Sequence, residues 1–369
     1  MAEPHPLTDL FNSGADGVFA YRLPSLLAIG QSTLLAFAQG RIGSRQDNAP
    51  AAVYLRRSFD AGRSWERGRA IIRNASAAMI AQQALPSGEP GGVILLLNVM
   101  PFSVPCGLGK KRCGACVTYM CRSSDNGATW SSLTPLRDVS THGSGVGNGI
   151  VLRSGRLLAP RRADCCDCSG VPRSYVLISD DHGIRWRAGA KLPHGWTESS
   201  VAELPNGSVV LTARALHGRS ARDHPGKRRL FAISHDAGET WARTWAFSGK
   251  DSDGSSVLRD PDCFASLEAT TSSSSRASSA PIKAGGALFL AHPSSARRRM
   301  NLTIHSSTDG GASWQLWRRV YAGSSAYAAL TTLSHGQKLA VAFERDRFKH
   351  ISLATLHRRR GRRTPRGLQ

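Results

Sequence analysis

Arginine, carboxylate and tyrosine side chains recur beside short β-rich runs, and they carry the chemical potential of this chain. Tyr21-Arg22-Leu23-Pro24 precedes the first such run, and Arg41 and Asp47 follow the run Leu34–Ala38. Glu198-Ser-Ser-Val-Ala-Glu203-Leu leads to Leu211-Thr-Ala-Arg214. Arg299-Met-Asn301-Leu302, Ala326-Tyr327-Ala-Ala-Leu330 and Phe343-Glu344-Arg345 complete the series. Arginine offers a planar cation that grips an anion through paired hydrogen bonds and keeps its charge near neutral pH. Other catalytic signatures are missing: no Gly-x-Ser-x-Gly elbow, no His-Glu-x-x-His, no Walker loop. The glycine-rich stretch Gly143–Gly149 has no helical pattern after it, so it reads as a turn rather than a phosphate cradle.

Five copies of a second pattern organise the elements that must hold these side chains. They are Ser58-Phe-Asp60-Ala-Gly62-Arg-Ser-Trp65, Ser123-Ser-Asp125-Asn-Gly127-Ala-Thr-Trp130, Ser179-Asp-Asp181-His-Gly183-Ile-Arg-Trp186, Ser234-His-Asp236-Ala-Gly238-Glu-Thr-Trp241 and Ser307-Thr-Asp309-Gly-Gly311-Ala-Ser-Trp314. The copies recur roughly 55–75 residues apart, the mark of a repeat architecture. Each suits a β-hairpin: Asp accepts nearby backbone N–H groups, Gly tolerates positive φ, and Trp plugs the apolar side.

Between the copies lie runs such as Ala52–Arg56, Val93–Val99, Val117–Arg122, Ser174–Ile178, Ser208–Ala213, Leu230–Ser234, Ala287–His292, Leu302–His305 and Leu339–Glu344. No stretch keeps a helical apolar period. The expected fold is all-β, a six-bladed β-propeller with these motifs at its turns. One domain would span residues 1–356, interrupted by a Ser-rich surface insertion near 266–280. An Arg-rich disordered tail would follow at 357–369.

The chain has 369 residues and 41% hydrophobic content, enough for a substantial core. Its longest apolar run is strand-sized, so no transmembrane segment is expected. Residues Met1–Leu10 lack a basic then apolar leader. That leaves a cytosolic chain, a mature fragment or an incomplete gene model. The net charge of +22 attracts acidic partners, or reflects a composition in which Arg, Ala, Gly and Ser all run high. No interleaved aromatic-basic platform appears, which argues against nucleic acid. Eight cysteines include Cys113-Gly-Ala-Cys116 and Cys165-Cys-Asp-Cys168. Their spacing leaves zinc, disulfides and free thiols open. Sequons at Asn74, Asn206 and Asn301 are compatible with a secretory route.

With the motifs taken in order, the chain resembles the sialidase (neuraminidase) family, and most of all its animal lysosomal branch. Tyr-Arg-Leu-Pro is similar to the family's Arg-Ile/Leu-Pro signature, and the five repeats are similar to its Asp-boxes. The resemblance runs from about Val18 to about Leu356. It implies a retaining exo-α-sialidase, a glycoside hydrolase releasing terminal sialic acid from glycoproteins, glycolipids or oligosaccharides, with no cofactor and no metal. Arg22, Arg214 and Arg299 would bind the substrate carboxylate, and Glu344 would hold the first of them. Tyr327 would be the nucleophile and Glu198 its base, since a neutral phenol avoids the repulsion a carboxylate would meet at an anomeric centre bearing a carboxylate. Glu203 matches a non-catalytic Glu of the family. Asp47 would protonate the leaving oxygen; Asp60 belongs to a box and Asn48 cannot transfer a proton. Arg41 would contact a ring hydroxyl or Asp47.

The same residues fit a trans-sialidase, and a non-catalytic sialic-acid-binding propeller is the remaining alternative. The resemblance also implies a lysosomal or secretory location and a stabilising protein partner or homo-oligomer. The chain departs from the family's pattern in the Ala-rich segment Arg73–Ile80, in Gln39-Gly40 before Arg41, and in Arg185 of the third box.

Overall fold

The computed structural model describes residues 6–47, 49–73, 79–83, 92–99, 117–136, 139, 143–163, 171–216, 228–250, 257–270, 286–334 and 336–358. Among these the structure is all β, with no helix. In chain order, β1 (Leu7–Asn12) precedes a first meander of β2 (Ala20–Ile29), β3 (Thr33–Arg41), β4 (Ala51–Ser58) and β5 (Arg69–Ile72). Then come β6 (Met79–Gln83), β7 (Val93–Val99), β8 (Val117–Ser123) and β9 (Thr134–Pro135). Next are β10 (Gly143–Ser144), β11 (Gly147–Asn148), β12 (Ile150–Val151), β13 (Leu157–Ala163), β14 (Arg173–Ser179) and β15 (Arg187–Ala188). A further meander holds β16 (Trp196–Glu203), β17 (Val209–Ala215), β18 (Leu230–Ser234) and β19 (Arg243–Ala246). The last strands are β20 (Ser266–Thr270), β21 (Ala287–Pro293), β22 (Met300–Ser307), β23 (Gln315–Leu333), β24 (Lys338–Arg345) and β25 (His350–His357).

These strands form small sheets in a propeller-like arrangement, antiparallel except where β11 runs parallel to β6. β1 leaves its sequence neighbours to pair with β25, so the chain's first strand completes its last sheet. That pairing covers an edge that would otherwise present unpaired backbone groups. Apolar clusters fill the wedges between successive sheets. Leu35, Phe37 and Leu55 meet Val93, Leu95 and Leu97, for example, and Leu158 and Val176 meet Val209 and Leu211.

The count of six separate blades is corrected. Among the described residues strand pairing gives five sheets, of which four have four or five strands and one has seven. The seven-stranded sheet arises because β23 runs for 19 residues without a turn. Its first part pairs with β22 and its second with β24. Register shifts break both ladders, and Phe289, Leu302 and Ile304 pack against Leu330, Val341 and Phe343 of the same sheet. The sheet therefore folds back on itself at β23. Repeat spacing measures the distance between turns; it is silent about a strand that passes from one sheet face to the next.

Two boundaries also move. The Ser-rich insertion was expected from 266, but Ser266–Thr270 is β20, paired with β21, and Ser266 Oγ accepts the Leu330 N–H at 2.9 Å. Residues 271–280 lie outside the described residues. The Arg-rich tail was expected from 357, but His357 still belongs to β25. His357 closes β25 opposite Lys338, and the Arg358 N–H donates to the Gln337 carbonyl at 2.9 Å. Among the cysteines, Cys121 and Cys263 are buried free thiols, and the other six lie outside the described residues.

The box motifs close the outer hairpins. In the first, Asp60 Oδ1 accepts the Ser58 hydroxyl and the Ser64 N–H, Ser58 Oγ accepts the Gly62 N–H, and Trp65 Nε1 donates to the Gly62 carbonyl. The residue before glycine is left-handed as well (Ala61, Asn126, His182, Ala237), giving two consecutive positive φ values as in a tight hairpin turn. At Gly183 a Cβ would run into Ile94 Cδ1 on a neighbouring sheet, so the box also serves as a close inter-sheet contact. In the third box Arg185 keeps the backbone bond to Asp181 but has no hydroxyl to add the second one made by Ser64, Thr129, Thr240 and Ser313.

These bonds set a pH dependence. The Asp60 carboxyl is held at about 2, first by the Ser64 hydroxyl and backbone bonds, against an ordinary value of 3.8. Asp236 also lies at about 2: burial works against its charge, and the Thr240 bonds outweigh it. A folded-state value below the unfolded one contributes stability above 3.8 that is lost as pH falls through about 2. The melting temperature is expected to drop across that window, and Asp236→Asn is expected to flatten part of the drop in calorimetric scans.

Candidate active site

The expected site residues lie at the ends of strands away from the boxes. Register makes this explicit: Val209 pairs with Ser234 of the fourth box, whereas Arg214 lies at the other end of β17. Tyr21 and Arg22 belong to β2 itself, not to a segment before it. Arg41 ends β3, Glu198 is the third residue of β16, Arg299 precedes β22, Tyr327 lies within β23, and Glu344 nears the end of β24.

Glu344 is fully buried. Its Oε1 accepts Arg22 Nε at 2.7 Å and the Leu23 N–H at 2.8 Å, and its Oε2 accepts the Tyr327 N–H at 3.2 Å. Leu23 is left-handed at φ 54°, which turns its N–H toward the carboxylate. Burial opposes the Arg22 charge, but the Glu344 carboxylate outweighs it and raises the guanidinium above its ordinary value. Among the described residues, no hydrogen bond occupies the terminal nitrogens of Arg22. Nearby, Arg41 is buried, with Nε on Gln39 Oε1 at 2.9 Å and Nη2 on Asp47 Oδ1 at 2.8 Å. Burial, then the positive charge of Arg22, lowers Arg41, and Asp47 offsets this. Asp47 is 94% exposed, on a loop open to solvent.

A second set adjoins the first through Tyr327. Tyr327 Oη donates to Glu198 Oε1 at 2.5 Å, and Arg214 Nη1 donates to Glu198 Oε2 at 3.0 Å. Burial, followed by the Glu198 charge, pushes the phenol well above its usual value of 10.0, so it keeps its proton at rest. Its ring stacks on Phe264 with centroids 5.7 Å apart. The Arg22 and Arg299 guanidinium carbons lie 5.8 and 5.6 Å from its centroid. Arg297 and Arg298 are exposed, whereas Arg299 is half-buried and donates to the Asp262 carbonyl at 2.8 Å. Cys263 is no rival nucleophile: burial raises its thiol to about 12. Glu203 points elsewhere and pairs with Arg153.

Sequence reasoning missed Asp262. Its carboxylate accepts Arg214 Nε at 2.5 Å while its carbonyl accepts Arg299, so one left-handed residue at φ 63° braces two arginines. Behind it the buried pair Asp260–Arg229 fixes the loop: Asp260 Oδ1 accepts the Asp262 N–H at 2.9 Å, and Arg229 Nη2 donates to the Cys263 carbonyl at 2.6 Å. The signal available was Asp260-Pro-Asp262, two acids in a strongly basic chain. Asn48 and the Ala-rich residues 74–78 lie outside the described residues.

The site thus combines three cations around a neutral phenol, a carboxylate against that phenol, and a second carboxylate at the rim. The BNR repeat-like domain profile matches residues 32–340. The sialidase of Micromonospora viridifaciens is 29% identical over 89% of this chain and 50% of its own length. Sialidase-3 of Rattus norvegicus is 28% identical over 91% of this chain and 90% of its own. Among solved structures, Hadza microbial sialidase Hz136 superposes with a TM-score of 0.75 at 22% identity, over 95% of this chain and 68% of that one, a likeness of fold. The chain belongs to the BNR repeat-like domain family, and these curated relatives are sialidases. Animal sialidases are one of several branches matched, beside bacterial ones. The chain spans about half the length of the bacterial relatives, 50% and 55%.

Removing the Glu344 carboxylate would leave Arg22 buried without its counter-charge. Glu344→Ala is expected to cost about 3–5 kcal/mol of folding stability, read as a lower urea midpoint.

Proposed function

We propose that this chain is a retaining exo-α-sialidase that hydrolyses terminal sialic acid from glycoproteins, glycolipids or oligosaccharides. The observation that carries the reading is the 2.5 Å bond from Tyr327 Oη to Glu198, set among Arg22, Arg214 and Arg299. Sialic acid bears its carboxylate on the anomeric carbon, and the guanidinium edges of the three arginines are suited to hold that group. Tyr327 Oη attacks the anomeric carbon as Glu198 takes the phenolic proton, which keeps an anionic nucleophile from forming beside the substrate carboxylate. Asp47 donates its proton to the glycosidic oxygen, whose bond to the sugar breaks, and the aglycone leaves as an alcohol. A sialyl-tyrosine remains. Asp47, now a carboxylate, takes a proton from water as the water attacks. Tyr327 departs and recovers its proton from Glu198. Two displacements at one carbon retain configuration.

In this reading Glu344 and Asp262 position the arginines, and Arg41 holds Asp47 at the rim. The catalytic unit takes in the strands from β1 to β25, and its partner is a sialylated glycoconjugate. A galactose hydroxyl in place of water would make the same chemistry a trans-sialidase. Product analysis with added lactose separates the two.

Tyr327→Phe is expected to lower turnover of an umbelliferyl α-sialoside by about a thousandfold or more, with an unchanged circular dichroism spectrum. Full activity in that variant would refute the reading. A folded parent that binds sialic acid without turnover would point to a lectin. Asp47→Asn is expected to slow release from sialyllactose far more than from the umbelliferyl substrate, because a good leaving group needs less protonation. Equal losses on both would remove Asp47 as the acid.

A further inference from the structure

The turn between β24 and β25 carries unusual backbone strain. Asp346, Arg347 and Phe348 stand in succession at φ of 52°, 54° and 70°, and no other three consecutive non-glycine residues among those described are left-handed. This conformation is uphill for any residue with a Cβ, and most of all for a bulky one. Reversing the chain does not require it, since a short glycine turn does so without that cost. The turn is nonetheless tied down along its length. The Asp346 N–H donates to the Ser324 carbonyl at 2.9 Å, and the Asp346 carboxylate accepts both the Tyr321 hydroxyl and Arg345. Ser13 Oγ donates to the Phe348 carbonyl at 2.7 Å, and the Ser13 N–H donates to the Lys349 carbonyl at 2.8 Å.

This clamping seats Phe348 against the buried cluster of Val146, Cys263, Phe264, Ala326 and Tyr327 and brings its ring to one cation. The Phe348 ring lies under the Arg22 guanidinium with Cζ 4.0 Å from its centroid. Every other cation–π pair among the described residues is at 5.2 Å or more. Glu344 already holds Arg22 Nε, so the ring fixes the remaining freedom, the plane of the guanidinium, and keeps water from one face. Backbone strain kept at a functional site is a pointer to function when the surroundings over-determine it.

We propose that Phe348 is a positioning residue for substrate recognition: the strained turn presses its ring on Arg22 so that both terminal nitrogens face the substrate carboxylate. The proposal rests on the sialidase reading for its substrate. The carboxylate is present in ground and transition state alike, so the ring acts on binding and leaves the chemical step alone.

The test is steady-state kinetics on umbelliferyl α-sialoside, with calorimetric titration of free N-acetylneuraminic acid, for the parent and for Phe348→Ala, Phe348→Leu and Phe348→Tyr. The Ala and Leu variants are expected to raise both KM and the sialic acid Kd about tenfold with kcat within about twofold, and Tyr to match the parent. Leu keeps the apolar bulk without a π face, so it decides the matter even if Ala fails to fold. A Leu variant that binds and turns over like the parent overturns the proposal, as does a loss confined to kcat. A parent that binds sialic acid without turnover defeats the hydrolase reading, and the Kd series still decides this one.

Discussion

The constraint on which the site depends is the gathering of like charges. Arg22, Arg214 and Arg299 surround one phenol, with Arg41 close by, and desolvation opposes each buried cation. The fold answers with carboxylates placed behind the arginines: Glu344 for Arg22, Asp262 for Arg214, Asp47 for Arg41. Glu344 is the most connected of these. It ties β2 to β24 through Arg22 and Leu23, and reaches β23 through the Tyr327 N–H. A single buried carboxylate therefore sets Arg22 and Tyr327 relative to each other.

Backbone geometry serves the same end. Outside the box turns, four of the eight left-handed non-glycine residues stand at the arginines: Leu23 beside Arg22, Asp262 against Arg214, Asn301 after Arg299, and Phe348 over Arg22. The boxes stand at the opposite ends of the strands and give the sheets a rigid base. The box turns and the charge-bearing connections are thereby separated, at opposite ends of the strands.

Much of this was legible in the sequence. The runs around Leu35, Leu95, Leu177, Leu211, Leu290 and Val341 are strands, because β-rich apolar segments between turn residues have few other ways to bury themselves. Motif order singled out the expected site residues, and the structure brings Arg22, Glu344, Tyr327, Glu198, Arg214 and Arg299 together. Asp262 and Phe348 were not found, since each acts through a contact between distant segments that local pattern does not encode. The blade count failed for a related reason: β23 changes partner in mid-strand, and nothing in its local sequence marks that exchange.

The central claim is that Tyr327 becomes covalently bound to the sugar. Brief incubation with a difluorinated sialic acid, which slows breakdown of such an intermediate, followed by peptide mass spectrometry, tests it directly. The expected result is one sialyl adduct on the peptide carrying Tyr327, absent from the Tyr327→Phe protein. An adduct on Glu198 or Asp47, or none in a protein that hydrolyses sialosides, would contradict the account.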